Sequence, residues 1–109
     1  MLVAPYRIMW LLVMFDLPVK LREERKEYAQ FRKVLLGLGF TKMHFSVYSK
    51  AFPSEEAGTA MTLRVRAALP PRGHVRVLMV TDHQFGKMQV FMSKKRRDAE
   101  EPSEQICLF

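Results

Sequence analysis

Eight apolar residues in an unbroken row, Ile8-Met-Trp-Leu-Leu-Val-Met-Phe15, are stopped by Asp16, and no other feature constrains the fold of this chain as tightly. A strand with one face in water alternates apolar and polar side chains. This run does not, so as a strand it is covered on both faces and lies in the middle of a sheet. It is less than half the length of a membrane span, and no small-residue cleavage site follows it, so neither a membrane anchor nor a secretion signal is expected.

The remaining elements are read around that strand. After Leu17-Pro18, residues Lys20 to Leu38 place Tyr28, Phe31, Leu35 and Leu38 at spacings of three and four, the pattern of an amphipathic helix, and Gly37 and Gly39 end it. Phe40 to Lys50 alternates as one second strand, with Met43, Phe45 and Val47 on an apolar face and Lys42, His44, Ser46 and Tyr48 on a mixed one. Pro53-Ser-Glu-Glu56 opens a second helix with acids where its dipole favours them. Ala57, Met61, Val65 and Ala68 are its buried stripe, and Pro70-Pro71 closes it. His74 to Thr81 and Lys87 to Met92 read as two more strands around the turn Asp82–Gly86.

These pieces specify an α+β fold of ferredoxin-like βαββαβ type, an antiparallel sheet with both helices on one face. Residues 1–92 form that domain. Lys94-Lys-Arg-Arg97, followed by Asp98, Glu100, Glu101 and Glu104, belongs to a charged linker over 93–104, and residues 105–109 form a short C-terminal edge strand. The plan leaves one sheet face bare although the first strand is apolar on that side too, so a homodimer is expected to close it.

Charge indicates the kind of partner. Eighteen Lys and Arg against eleven Asp and Glu give +7, a surplus that attracts polyanions by releasing their counterions, so nucleic acid is the expected ligand. Candidate phosphate contacts are Arg22, Arg25 and Lys26 on the first helix, Arg72 and Arg76 near the last strands, and the cluster Lys94, Lys95, Arg96 and Arg97. A solvated face paired with Glu23, Glu24 and Glu27 is the competing account of the helical cations. The single cysteine, Cys107, excludes an intrachain disulfide and a zinc site of paired thiolates, which fits a cytoplasmic protein. His44, His74 and His83 lack ligand spacing and read as structural or surface residues. No glycine-rich phosphate loop, catalytic triad or nucleotide fingerprint is present. Asp16, at the end of the first strand, reads by itself as a cap of the following helix through an Asx-type turn.

Four stretches together resemble the second CRISPR-associated protein family, in the branch that accompanies Cas9-type loci. They are Phe15-Asp-Leu-Pro18, Gly39-Phe-Thr-Lys-Met-His-Phe-Ser-Val-Tyr48, Leu69-Pro-Pro-Arg-Gly-His-Val-Arg-Val-Leu78 and Glu104-Gln-Ile-Cys-Leu-Phe109. The match runs from about Arg7 to Phe109, and its order and spacing are more specific than any one motif. His44 stands where the family usually carries Gln. The resemblance implies a ferredoxin-like homodimer that sits between dimers of the CRISPR integrase subunit and holds double-stranded prespacer DNA for spacer acquisition. It also implies, for many members, a metal-dependent endonuclease acting on RNA or duplex DNA, with Asp16 as catalytic residue and ligand of Mg²⁺ or Mn²⁺. The apolar tail residues Ile106, Leu108 and Phe109 are expected to dock on a sheet edge at a partner surface.

Overall fold

The structure, a computed structural model, describes residues 7–93. Its elements run β1 (Met9–Asp16), α1 (Arg22–Gly37), β2 (Thr41–His44), β3 (Val47–Phe52), α2 (Glu55–Ala67), β4 (His74–Thr81) and α3 (Asp82–Gly86). The strands lie in the order β2-β3-β1-β4, antiparallel at every junction. This is the ferredoxin-like plan, with the apolar run as the expected central strand.

Although β1 is apolar throughout, its burial alternates. Met9, Leu11, Val13 and Phe15 are buried against the helices, whereas Trp10, Leu12 and Met14 on the other face are only half-buried. Phe31 and Leu35 of α1 and Met61 and Val65 of α2 close the core over Leu11, Val13, Phe15, Tyr48 and Phe52. Truncating such a side chain leaves a cavity, and for Phe31→Ala the expected cost is about 3–5 kcal/mol. Lys50 also faces the helices, but its Nζ reaches the end of α1 and donates to the Leu38 carbonyl at 2.8 Å, a favourable place for a cation.

Ser54 caps α2 as expected, its hydroxyl accepting the Ala57 N–H at 3.1 Å. Three other expectations are corrected. Residues 40–50 form a hairpin rather than one strand. Its tip is fixed from outside, by the Phe15 N–H donating to the Ser46 carbonyl at 3.0 Å and the Tyr28 hydroxyl donating to the Phe45 carbonyl at 3.0 Å. Tyr48 consequently lies in the core, fully buried and stacked on Phe15 with ring centroids 5.7 Å apart, and not on a mixed face. The segment after β4 is helical, because Thr81 and Gln84 cap one another: the Gln84 N–H donates to the Thr81 hydroxyl at 3.1 Å and the Thr81 N–H to Oε1 of Gln84 at 2.9 Å.

The expected strand over Lys87–Met92 is absent as well, since residues 87–93 have no regular structure. A strand needs an edge to pair with, and after α3 the segment is not laddered to the sheet of its own chain. Val90, Phe91 and Met92 are 76%, 83% and 66% exposed. The charged linker beyond Ser93 and the C-terminal edge strand lie outside the described residues.

Candidate functional site

Asp16 ends β1 with its side chain exposed, on the face away from the helices. His74 stands opposite it as its cross-strand partner, and Arg76 pairs with Met14 one step further along the same face. Several contacts hold this corner. Leu17 is buried beneath the chain as it leaves β1. Gly73 adopts φ +96°, a conformation that favours glycine, and a Cβ there would lie 2.8 Å from the Asp16 carbonyl oxygen and 2.6 Å from Leu17 Cδ2. The Phe15–Ser46 bond fixes the strand one residue earlier.

The capping role read for Asp16 is corrected. Helix α1 begins at Arg22 with Leu21 in the cap position, too far along the chain for Asp16 to reach. Glu24 caps it instead, its Oε1 accepting the N–H groups of Lys20 and Leu21 at 2.9 Å each. Arg25 seals the turn, donating from Nη1 to the carbonyls of Val19 at 3.1 Å and Lys20 at 2.8 Å. The signal for this arrangement is Glu24 three residues after Leu21, a spacing that marks a cap and not only an acid of a solvated face. Asp16 is therefore not committed to the helix that follows it.

The candidate cations fall on two sides of the molecule. Arg22, Arg25 and Lys26 are exposed along α1. Arg72, from the loop before β4, joins that side, but its guanidinium donates to Glu27 at 2.8 Å and stands 3.8 Å from Glu24. The hydrogen bond and the charge of Glu27 raise its pKa above the ordinary arginine value, with Glu24 and Glu23 adding to the effect against some desolvation. Arg76 lies on the opposite, open face of the sheet. One chain thus does not gather these residues into a single groove. Lys94 to Arg97 and the tail residues Ile106, Leu108 and Phe109 lie outside the described residues.

For a divalent ion, among the described residues no three His, Cys, Asp or Glu side chains come together. Asp16 and His74 supply one carboxylate and one imidazole at one spot. That donor set suits an ion which keeps water in its remaining positions. His83 lies in α3 and His44 on β2, at neither of which Asp16 sits. No helix among the described residues is long and apolar enough to cross a membrane.

The far end of the open face is finished differently. Trp10 stacks on Phe85 of α3, with ring centroids 3.9 Å apart and planes 4° from parallel, and its Nε1–H donates to Oδ1 of Asp82 at 2.7 Å. Between Trp10 and Asp16 the face carries the apolar side chains of Leu12, Met14, Val47, Ala51 and Leu78, with Ser49 opposite Leu12 and Arg76 opposite Met14.

A small α+β domain with a ferredoxin-like sheet, one apolar face open and a lone carboxylate at the end of its central strand defines the class of protein. The sequence profile of the family described as CRISPR associated protein Cas2 matches residues 9–88, and the chain belongs to that family. It is 44% identical over 104 residues to the CRISPR-associated endoribonuclease Cas2 of Flavobacterium psychrophilum, covering 95% of this chain and 90% of the relative. With the protein of the same description from Parvibaculum lavamentivorans it shares 45% identity over 101 residues, 93% of this chain and 100% of the relative. With that of Streptococcus mutans serotype c it shares 42% over 88 residues, 81% and 80% of the two chains.

Proposed function

We propose that this chain is a cytoplasmic subunit of the CRISPR adaptation machinery of Cas9-type loci, which dimerises, bridges dimers of the integrase subunit and holds prespacer DNA. The observation that carries the dimer is the open sheet face. Leu78 is 51% exposed at its middle, beside Leu12, and the apolar residues Val90, Phe91 and Met92 are exposed as well. Burying such a patch against its own copy is the commonest route to a closed assembly. Sedimentation at micromolar concentration is expected to give about twice the 12.8 kDa of the chain. Leu78→Glu, at an exposed position, is expected to give a folded monomer, and a wild-type monomer sinks the reading.

Nucleic-acid binding by the basic surface is expected to weaken steeply with salt, by about one counterion per phosphate contact. Charge reversal at Arg22 and Lys26, or across Lys94–Arg97, flattens that dependence if those residues touch phosphate. Truncation after Glu101 removes Ile106, Leu108 and Phe109 and is expected to abolish spacer acquisition in cells.

A second reading, metal-dependent cleavage of RNA or duplex DNA, is favoured by the exposed, uncommitted carboxylate of Asp16 and by the name endoribonuclease that the relatives carry. In it Asp16 holds Mg²⁺ or Mn²⁺, which when bound neutralises phosphate charge and makes water a better nucleophile. Arg76, exposed on the same face, would take a phosphate oxygen in this reading. Asp16→Asn is nearly isosteric and is expected to abolish Mg²⁺- or Mn²⁺-dependent cleavage while the dimer persists and acquisition continues. Loss of acquisition in Asp16→Asn together with its survival in the truncation would reverse the order of the two readings.

A further inference from the structure

We propose that His74 is a metal ligand beside Asp16, and that this pair makes the site prefer Mn²⁺ over Mg²⁺. The inference rests on the second reading above, in which Asp16 holds a divalent ion.

Asp16 and His74 are direct cross-strand partners at the last rung of the β1–β4 ladder, so their side chains leave the sheet on the same face. Opposite residues in an antiparallel pair have Cβ atoms about 4.5–5.5 Å apart. Two side chains on neighbouring strands this close could both reach one divalent ion. Both are exposed, and neither is hydrogen-bonded or ion-paired to another described side chain, so each is free to turn toward a common point.

The backbone beneath them is fixed. Gly73 packs against the carbonyl of Asp16 and against Leu17, and Arg72, one residue earlier, is clasped to Glu27 of α1. The register that sets Asp16 opposite His74 is thus held from both strands, and binding has only the two side chains, not the backbone, to order.

The donor chemistry gives the selectivity. Mg²⁺ is hard, dehydrates reluctantly and is usually held by carboxylates and water. Imidazole nitrogen favours the later first-row ions, along the order in which Mn²⁺ is the weakest of the transition series. A site of one carboxylate binds Mg²⁺ and Mn²⁺ alike through oxygen, whereas a carboxylate with an imidazole adds a donor that only the transition ion uses well.

The test uses the full-length protein. In its histidine NMR spectrum, Mn²⁺ added below stoichiometry is expected to broaden the ring signals of His74 before those of His44 and His83. The affinity for Mn²⁺, read from free Mn²⁺ by electron paramagnetic resonance, is expected to fall by at least about tenfold in His74→Asn, since loss of a ligand costs no less than the roughly 10–100-fold that loss of a ligand's hydrogen-bond partner does. Competition by Mg²⁺ against Asp16 is expected to keep its own strength, so that the Mn²⁺ to Mg²⁺ ratio falls by the same factor. An unchanged ratio in a folded His74→Asn, or equal broadening of the three histidines, overturns the role of His74. Asp16→Asn that retains its Mn²⁺ affinity overturns the metal reading itself, a separate failure that His74→Asn does not produce.

Discussion

The guanidinium of Arg72 lies 2.8 Å from the carboxylate of Glu27, and through this contact the loop before β4 is fastened to α1. The pair is partly exposed, so its contribution to stability is modest and screened by salt. Arg72→Ala is expected to lower the melting temperature slightly, by an amount that shrinks as salt rises. The folded-state pKa of Arg72 is raised, so its contribution is fully present below the ordinary arginine pKa and is lost only in strong alkali. Because the guanidinium already serves two glutamates, the salt dependence of nucleic-acid binding is expected to be unchanged in this variant. A flatter dependence would return Arg72 to the nucleic-acid surface.

Gly73→Ala is expected to destabilise the fold. A left-handed backbone costs a non-glycine residue about 1–2 kcal/mol, and the new methyl would press on the Asp16 carbonyl at 2.8 Å and on Leu17 Cα at 3.0 Å. Gly37→Ala is the internal control. At the end of α1 a Cβ meets nothing within 4 Å, and this change is expected to stabilise by about 0.5–1 kcal/mol. Chemical denaturation of the two variants measures the contrast, and equal effects would show that the close approach at Gly73 is not what the glycine serves.

Tyr48 separates packing from hydrogen bonding. Its ring is fully buried, and its hydroxyl accepts from Nε of Arg32 at 3.1 Å. Tyr48→Phe keeps the ring and removes one bond, for an expected loss of about 1 kcal/mol. Tyr48→Ala removes the ring and is expected to cost about 3–5 kcal/mol. Denaturant midpoints that fall equally in the two variants would mean that the hydroxyl, and not the ring, secures β3.

Trp10 is the sole tryptophan of the chain, so its fluorescence reports one contact. Asp82→Ala removes the acceptor of the indole N–H and the acid at the start of α3. With α3 loosened, Phe85 leaves the indole and the emission is expected to shift to longer wavelength, with little change in melting temperature. Emission identical to wild type would show that the ring stacking holds α3 without the hydrogen bond.

Much of this architecture was legible because it rests on composition along the chain. The apolar run at Ile8–Phe15 could only be a central strand, and the three-and-four spacing of Tyr28, Phe31, Leu35 and Leu38 could only be a helix laid on it. The breaks were less legible. No Gly, Pro or Asn marks the turn at Phe45–Ser46, whose carbonyls are held by the Phe15 N–H and the Tyr28 hydroxyl from other parts of the chain. The helix after β4 did leave a trace, Thr81-Asp-His-Gln84, a mutual cap that period counting passes over.

Local periodicity and motifs in a fixed order were enough for β1, for α1 and α2 with the faces they bury, and for the family. That Asp16 does not cap α1 is visible in the fold alone. Which residues cap α1 depends on where the chain enters it, and the entry at Leu21 gives that task to Glu24 and frees the carboxylate. That His74 faces Asp16 is likewise a matter of strand register, and Arg72 is drawn to Glu27 by a loop closed across 45 residues. Such pairings join positions far apart in the chain, and no spacing within either segment encodes them.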